Sequence, residues 1–359
     1  MIHLIVGTKA QMVKIAPIML ELQNKDIPYN FIFTGQHQET MKALIDNFST
    51  KDPDITLHKG EDITSIPAIL IWMIRILWVT AFHRNHIFKN DKNGIVLVHG
   101  DTFSTLLGAL MGKFCRLKVA HIESGLRSFN FLHPFPEEIT RILTFALSDI
   151  YFCPGEWAIK NLANYQGEKH NTQFNTLLDS LRHVSTDFAP TKIYIPKEKF
   201  CVVTTHRFEN VCNKNRFKRN IELIEFVANQ MKCIFILHPI TRRRLIQYNL
   251  YDRLANNSHI ELTARYDYAN FIQLLRCSEF VITDGGSNQE ECFYLGKPCL
   301  LLRKKTERQE GLDANVVISE YNIDILKYFL KFYEQYKNPY LDDNISPSNI
   351  IVEKIKEYQ

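Results

Sequence analysis

The chain has 359 residues, of which 45% are hydrophobic and 23% are charged, and its formal net charge is +4. This composition is that of an ordinary globular protein, which excludes a disordered or fibrous chain, and the length suits two domains of usual size. So small a positive excess gives no reason to expect a nucleic-acid partner, although it suits an anionic ligand such as a nucleotide.

The eight cysteines are scattered and form no Cys-x-x-Cys pair. The sequence therefore indicates neither a zinc site nor a disulfide framework, and a reducing cytoplasm is the expected location. The first residues lack the basic start and the long apolar core of a signal peptide, so we predict a first strand there.

The first half of the chain alternates short apolar runs with longer mixed segments, which predicts parallel strands joined by helices. The predicted strands are residues 3–7, 30–34, 95–99, 118–122 and 150–153, and the predicted helices are residues 10–23, 40–47, 105–114 and 137–148. The polar segment 166–200 contains two prolines and is interpreted as the connection between two domains.

One apolar run, from Ile66 to Phe82, allows three interpretations. It has 17 residues, interrupted by Arg75, and so reaches the lower limit for a membrane span. Pro67 and the strand that follows favour a helix buried in the fold or in a dimer interface. The basic flank, which includes Arg84, keeps open a helix that lies on a membrane surface, and a true span is the third alternative.

A second alternation follows, with strands at 200–205, 233–237, 259–263, 280–283 and 298–302 and helices at 216–230, 242–248, 270–276 and 288–295. We therefore predict an α/β protein of two Rossmann-like domains that face a cleft. The N-terminal domain is residues 1–175 and the C-terminal domain is residues 176–340. Residues 341–359 form a C-terminal helix, for which packing on the N-terminal domain is one option.

Two glycine-containing turns follow predicted strands and open helices, where backbone N–H groups attract anions. In the first turn, 7–10, Lys9 and the nearby Lys14 add positive charge, although any strand-to-helix turn can contain a glycine. The second turn, 284–291, contains Gly285 and Gly286 and continues to Glu291, whose carboxylate suits ribose hydroxyls. We interpret the second turn as a nucleotide-binding site.

Five further polar side chains stand at the ends of predicted strands or at the start of a helix. His206 and its neighbour Arg207 suit phosphate binding, or they are an ordinary surface dipeptide. Asp101, Glu123 and Glu137 are candidate proton-transfer groups, because ligands bind at the carboxyl ends of parallel strands.

Each carboxylate also has a purely structural interpretation. Asp101 can cap the following helix, Glu123 can pair with Arg127, and Glu137 can pair with Arg141 one turn further on. The common placement of the three carboxylates favours a catalytic site.

At these motifs the chain resembles the non-hydrolysing UDP-N-acetylglucosamine 2-epimerase family. The resemblance runs from Gly7 to about Gly311. It includes the segments GTKAQMVKIAPIM, FTGQHQETM, VLVHGDT, HIESGLRS, PFPEEITR, THRFEN, DGGSNQEE, LGKP and TERQEG. It implies a fold of the GT-B glycosyltransferase type, usually a homodimer, and elimination and re-addition of UDP through a 2-acetamidoglucal intermediate.

The resemblance also implies a role for each candidate residue. Asp101, Glu123 and Glu137 would be the acid and base groups, and His206 and Arg141 would stabilise the departing UDP or orient the sugar. Phe271 would stack on uracil and Glu291 would bind ribose. The diphosphate would lie against the set Gly285, Gly286, Ser287, Arg308 and Lys9. The segment that contains Gln36 and His37 binds a second, allosteric UDP-sugar in some relatives.

The chain departs from the family pattern at several positions. The usual Arg-Pro-Glu is Lys9-Ala10-Gln11 here, and lysine lacks the planar two-point contact of arginine. The usual Ser-Gly-Gly is reordered to Gly285-Gly286-Ser287, a usual glycine is Phe174, and the usual Arg-Arg-Glu is Arg207-Phe208-Glu209. The three carboxylates and His206 are retained, which favours the proton-transfer chemistry over any one sugar.

We therefore expect a cytoplasmic epimerase that interconverts UDP-N-acetylglucosamine and UDP-N-acetylmannosamine for surface polysaccharide synthesis. In this interpretation it needs no metal and no nicotinamide cofactor. The alternatives are a hydrolysing 2-epimerase, a membrane-associated GT-B glycosyltransferase that uses a nucleotide sugar, and a catalytically silent nucleotide-sugar-binding protein.

Overall fold

The computed structural model describes residues 1–38, 41–63, 65–131, 135–187, 193–341 and 344–358. The chain forms two compact units, of which the first is Met1–His183 with Ile345–Gln359 and the second is Val184–Asn344. The division falls within the helix Leu177–Asp187.

The first unit contains a parallel sheet of seven strands. They are β1 (Ile2–Val6), β2 (Tyr29–Phe33), β3 (Ile55–Thr56), β4 (Ile95–His99), β5 (Lys118–Ile122), β6 (Ile150–Cys153) and β7 (Glu168–Asn171), in the order β3-β2-β1-β4-β5-β6-β7. Every residue of β1, β2 and β4 is buried, as expected for parallel strands that are covered by helices on both faces.

The helices of the first unit before the division are α1 (Lys9–Asn24), α2 (Met41–Asn47), α3 (Ile66–Ile87), α4 (Phe103–Phe114), α5 (Glu137–Leu147), α6 (Glu156–Asn161) and α7 (Leu177–Asp187). The segment 166–200, interpreted as the connection between the two domains, contains β7 and the whole of α7. As an edge strand, β7 has the sequence EKHN and keeps its side chains partly exposed, so no apolar run marked it.

One part of the core of the first unit lies between the sheet and the helices α3 and α4. Val98 packs there against α4, whose Gly108 leaves room for the strand. A Cβ atom at Gly108 would lie 2.7 Å from the Val98 side chain, so the helix approaches the sheet only because that carbon is absent.

Helix α3 is half buried and half exposed. Trp72 and Ile76 belong to the core, whereas Ile74 and Trp78 on the other side are 68% and 67% exposed. Within the described parts of the chain, α3 is the helix long and apolar enough to cross a membrane, and 28% of its apolar window is buried. The interpretation of this run as a helix buried in the fold therefore holds for one side only.

The second unit contains six parallel strands in the order β10-β9-β8-β11-β12-β13. They are β8 (Phe200–Thr205), β9 (Lys232–Leu237), β10 (Ile260–Thr263), β11 (Val281–Thr283), β12 (Cys299–Leu301) and β13 (Val316–Ile318). Its helices are α8 (Phe208–Val211), α9 (Lys214–Ala228), α10 (Pro239–Gln247), α11 (Tyr251–Ala255), α12 (Tyr268–Cys277), α13 (Gly286–Tyr294) and α14 (Ile323–Phe332), followed by a 3₁₀ turn at Tyr333–Tyr336. The predicted parallel α/β class is therefore confirmed in both units.

The last helix, α15 (Pro347–Lys356), returns to the first unit and packs against α1. The Lys25 ammonium group lies 2.5 Å from both the Asn349 side-chain oxygen and the Glu353 carboxylate. Asp179 of α7 accepts a hydrogen bond from the Ser348 N–H at 2.8 Å. The C-terminal segment is thus held by two helices of the first unit.

Each sheet reverses its strand order once, between β1 and β4 in the first unit and between β8 and β11 in the second. Ligands of open α/β sheets bind outside the carboxyl ends of the strands at such a reversal. The loops after these four strands, together with the loop after β5, contain Asp101, Glu123, His206 and Gly285.

Candidate active site

Asp101 lies in the loop that follows β4. Its carboxylate is 2.5 Å from the Arg141 guanidinium, and its backbone carbonyl accepts a hydrogen bond from the Thr140 hydroxyl. The N-cap of α4 is Thr102, which forms a capping box with Thr105. The capping interpretation of Asp101 is therefore wrong, and its carboxylate instead holds a cation from α5.

Glu123 follows β5 with φ of +62°, a left-handed conformation that is strained for a residue other than glycine. It is 8% exposed, and its carboxylate lies 2.5 Å from the ammonium of the buried Lys14 and 3.3 Å from His99 Nε2. Arg127 instead binds Glu138, at 2.6 Å. The alternative pairing of Glu123 with Arg127 is therefore wrong, and strain and burial together make Glu123 a candidate functional residue.

Glu137 and Glu138 open α5 with different surroundings, because Glu137 is half-buried and Glu138 is fully buried. Glu138 accepts hydrogen bonds from the N–H groups of Ser128 and Phe129 and pairs with Arg141 at 3.3 Å, besides its pair with Arg127.

Burial acts to raise the pKa of Glu138, but these hydrogen bonds and cations hold the pKa below its ordinary value. Arg141, the predicted partner of Glu137, pairs with Glu138. The sequence did not single out Glu138, although its position beside Glu137 was a signal.

His121 lies at the centre of this group. It is fully buried, its Nε2 lies 2.7 Å from the Gly100 carbonyl, and burial lowers its pKa to about 4. The carboxylates of Glu123 and Asp101 act in the opposite direction on that pKa, and Arg141 acts with burial. Glu123, Asp101 and Arg141 therefore all lie close enough to this imidazole to influence its charge.

Gln11 joins the loops on the two sides of the strand reversal. Its side-chain oxygen accepts hydrogen bonds from the N–H groups of Gly7 and Thr8, and its amide nitrogen donates to the His99 carbonyl and the Thr105 hydroxyl, both at 2.9 Å. A glutamate, usual at this position, has no N–H to donate to that carbonyl. The departure at Gln11 thus provides a neutral cross-link in this chain.

The remaining predicted residues of the first unit lie around the same loops. Lys9 is the half-buried first residue of α1. The buried Gln36 accepts hydrogen bonds from the N–H and hydroxyl of Ser104, at 3.2 and 2.7 Å, and the His37 N–H donates to the Gly7 carbonyl at 2.8 Å. Gln36 and His37 therefore brace the β1 and β4 loops. Glu39, which belongs to the same sequence segment as Gln36 and His37, lies outside the described residues.

In the second unit, Asp284 organises the loop after β8. It is fully buried and accepts hydrogen bonds from the N–H groups of His206 and Arg207 and from the Asn210 side chain, at distances of 2.9–3.1 Å. His206 Nδ1 lies 3.3 Å from the same carboxylate, and its ring stacks on His238. The sequence did not predict that Asp284 and His238 contact His206, because neither residue is adjacent to His206 in the chain.

The surroundings of His206 favour its neutral ring. Burial lowers its pKa, Arg207 and Arg265 act in the same direction, and the Asp284 carboxylate opposes them. With Nδ1 directed at Asp284, the Nε2 atom is the one left to exchange a proton with a ligand. An approaching diphosphate would favour the protonated ring.

Gly285 and Gly286 are lined by positive and polar side chains. A Cβ atom at Gly286 would lie 3.0 Å from Arg308 and 3.4 Å from Arg207, and one at Gly285 would lie 3.1 Å from the His206 ring. Gly286 is also the first residue of α13, whose N-terminus attracts anions. The two glycines thus let the backbone come close to two guanidinium groups at a helix N-terminus, which suits a diphosphate.

Glu291 lies one turn into α13, is 3% exposed, and accepts a hydrogen bond from the Asn288 amide at 2.8 Å. Ser287, between the glycines and Asn288, is partly buried, and so is Phe271 on α12. Burial raises the pKa of Tyr268 well above its ordinary value, and the Glu291 carboxylate adds to this effect. Tyr268 is a neighbour of Glu291 that the sequence did not predict.

Comparison with known proteins identifies relatives over almost the whole chain. The sequence model of the family described as UDP-N-acetylglucosamine 2-epimerase matches residues 20–354. The UDP-N-acetylglucosamine 2-epimerase of Methanocaldococcus jannaschii is 32% identical, with 94% of each chain covered. That of Bacillus subtilis is 30% identical, with 95% of this chain and 91% of the relative covered.

Solved structures agree with the sequence relatives. The crystal structure of the Methanocaldococcus jannaschii enzyme in complex with UDP-GlcNAc and UDP matches with a TM-score of 0.84, 27% identity and 99% of each chain covered. The Neisseria meningitidis enzyme bound to UDP-GlcNAc matches with a TM-score of 0.83, 29% identity and the same coverage. The predicted fold class, two Rossmann-like domains of the GT-B type, is confirmed by these neighbours.

Proposed function

Because the chain belongs to the UDP-N-acetylglucosamine 2-epimerase family, we propose that it interconverts UDP-N-acetylglucosamine and UDP-N-acetylmannosamine without net hydrolysis. The observation that carries the proposal is the grouping of Asp101, Glu123 and Arg141 around one neutral histidine at the strand reversal of the first unit. The anion-binding turn at the reversal of the second unit supports it.

The reaction needs a base that removes the proton from C2 and an acid that returns one from the opposite face. As the C2 proton leaves, a C1–C2 double bond forms and the C1–O bond breaks, with its electron pair going to the diphosphate oxygen of UDP. Re-addition of UDP and protonation of C2 on the other face give the epimer. Asp101, Glu123 and Glu137 are the proposed proton-transfer groups.

The proposed task of the second unit is to bind UDP and to stabilise it as it departs. Arg207, Arg308 and the N-terminus of α13 offset the charge that develops on the diphosphate. His206 Nε2 can take up a proton as this charge accumulates. We assign Glu291 to the ribose hydroxyls and Phe271 to the uracil ring.

The test is a proton NMR time course of the purified protein with UDP-N-acetylglucosamine in deuterated water. The proposal predicts the manno product, deuterium at C2 and no accumulation of free UDP. Free UDP rising in step with N-acetylmannosamine would instead identify a hydrolysing epimerase. If neither C2 exchange nor a manno product is seen, the proposal is wrong for this substrate.

The three carboxylates are tested by Asp101→Asn, Glu123→Gln and Glu137→Gln, each expected to lower turnover by roughly 10²-fold or more. Asp46→Asn on the exposed side of α2 is the matched control and should leave the rate unchanged. Rates near wild type for all three variants would show that these carboxylates do not transfer protons in the reaction.

We also propose that the protein is a cytoplasmic homodimer that serves surface polysaccharide synthesis, as the resemblance implies. Light scattering should give twice the mass of one chain. Deletion of the gene should deplete polysaccharide that contains N-acetylmannosamine or its derivatives, and the purified epimer should restore synthesis in an extract.

An allosteric second UDP-sugar at Gln36 and His37 is a further proposal. It predicts a sigmoidal dependence of the rate on UDP-N-acetylglucosamine concentration, which becomes hyperbolic in His37→Ala. A hyperbolic curve for the unmodified protein would exclude this regulation.

A further inference from the structure

The outer face of α3, formed by Ile71, Ile74, Trp78 and Phe82, is a continuous apolar stripe. Each of these side chains is 67–68% exposed, and they recur every three or four residues along the helix. The rings of Trp78 and Phe82 are in contact, with centroids 4.7 Å apart. A stripe of this size exceeds the scattered apolar residues of an ordinary surface and indicates a partner.

The opposite side of α3 prevents it from leaving the fold. Trp72, Met73 and Ile76 are less than 9% exposed and pack with Val98 and Leu107 in the core of the first unit. Insertion of α3 across a bilayer would open that core. A partner must therefore cover the outer face where it lies.

The charged residues on α3 are all positive. The helix from Ile66 to Ile87 contains no aspartate or glutamate, whereas Arg75 lies exposed within the stripe and Arg84 lies exposed near its C-terminal end. Arg84 acts electrostatically on Cys115, which places the exposed Arg116 at the same end. The acidic residues Glu61 and Asp62 precede the other end. The C-terminal half of the stripe is thus both apolar and cationic.

We propose that the outer face of α3 binds the surface of an anionic lipid bilayer, with the helix lying along the membrane plane. Ile74, Trp78 and Phe82 enter the boundary between headgroups and acyl chains, where tryptophan and phenylalanine are favoured. Arg75 and Arg84 extend to the lipid phosphates, as long cationic side chains do at this depth.

A second copy of the chain is a poorer occupant for this face. In a two-fold dimer built on the stripe, α3 of one copy would face α3 of the other. Arg75 would then be desolvated against a helix without a carboxylate, and an unpaired buried charge is strongly unfavourable. An anionic headgroup provides the missing partner.

The experiment is sedimentation of the full-length protein with vesicles of phosphatidylcholine and phosphatidylglycerol, compared with vesicles of phosphatidylcholine alone. We expect binding to the anionic vesicles, a blue shift of tryptophan emission that is absent in Trp78→Phe, and loss of most binding in about 1 M salt. Ile74→Glu should lower the partition coefficient at least about tenfold, and Arg84→Gln about fivefold.

The matched control is Ile246→Glu, which makes the same exchange at a 53% exposed position on α10 in the second unit. It should change binding less than about twofold, and epimerase activity in solution should be retained in both isoleucine variants. Absence of vesicle binding, or equal loss in both variants, would overturn the proposal. So would light scattering in which Ile74→Glu turns a dimer into a monomer, because the face would then belong to a second copy.

Discussion

We expect variants of the buried ion pair between Lys14 and Glu123 to have different effects on the free energy of unfolding and on catalysis. Both side chains are 5% exposed and their charged atoms lie 2.5 Å apart. Lys14→Met leaves the Glu123 carboxylate buried, 3.3 Å from the His99 ring. Removal of one partner of a buried pair costs about 3–5 kcal/mol.

Proton uptake by Glu123 sets an upper limit on this loss of unfolding free energy. A carboxyl group of ordinary pKa is protonated at pH 7 for about 4 kcal/mol, so the variant should lose about 3–4 kcal/mol of unfolding free energy. In the Glu123→Gln background Lys14→Met removes a buried ammonium group that has lost this carboxylate, so it should cost no more than about 1 kcal/mol. The double-mutant cycle of Lys14→Met and Glu123→Gln therefore predicts a coupling energy of about 2–3 kcal/mol between the two side chains.

Urea titration with tryptophan fluorescence measures this energy, because Trp72, Trp78 and Trp157, the three tryptophans of the chain, all belong to the first unit. The Lys14→Met destabilisation should also be smaller at pH 5 than at pH 8, since a proton then neutralises the carboxylate. The double variant should regain stability without regaining epimerase activity. Equal destabilisation by Lys14→Met in both backgrounds would refute the buried-pair reasoning.

Three further changes test other parts of the molecule. Asp284→Asn replaces one oxygen of a carboxylate that accepts hydrogen bonds from the His206 and Arg207 N–H groups with an amide nitrogen that cannot accept them. In the NMR assay kcat/KM should therefore fall roughly 10²-fold. A wild-type rate would show that this carboxylate has no part in the mechanism. The pKa of Glu138 is lowered in the folded state, so its stabilisation is present above the ordinary pKa of about 4.3 and is lost as pH falls below it. Urea midpoints measured between about pH 5 and pH 3 should therefore fall less in Glu138→Gln than in the unmodified protein, and identical slopes would contradict this. Gly125→Ala places a Cβ 2.2 Å from the Ala158 carbonyl at φ +88° and should cost more than about 2 kcal/mol. Gly100→Ala, with φ +70° and no atom within 4 Å, is its control and should cost about 1 kcal/mol.

Much of the fold was predictable because it depends on local patterns. Buried parallel strands appear as short apolar runs, and the ten predicted strands all correspond to strands of the structure. The strands that were missed, β3, β7 and β13, are short or lie at sheet edges, where partly exposed side chains give no apolar run. Periodicity carries no signal for such elements.

The partners of the candidate site residues could not be predicted in the same way. Glu123 pairs with Lys14, which is 109 positions away, and Asp101 pairs with Arg141, which is 40 positions away. The sequence suggested nearby partners instead, because spacing along the chain is informative only within a helix turn or a loop. The order of strands in the sheet determines which distant loops meet.

The sequence by itself determined the parallel α/β class, the family resemblance, and the location of carboxylates, glycines and His206 at the ends of strands. These features follow from residue periodicity, turn chemistry and ordered motifs. Only the tertiary structure decided which cations hold the carboxylates, that Glu138 and Asp284 organise the loops, and that α3 is buried on one side and exposed on the other. Those properties depend on burial and on long-range contact, which exist only once the strands have taken their places in the sheet.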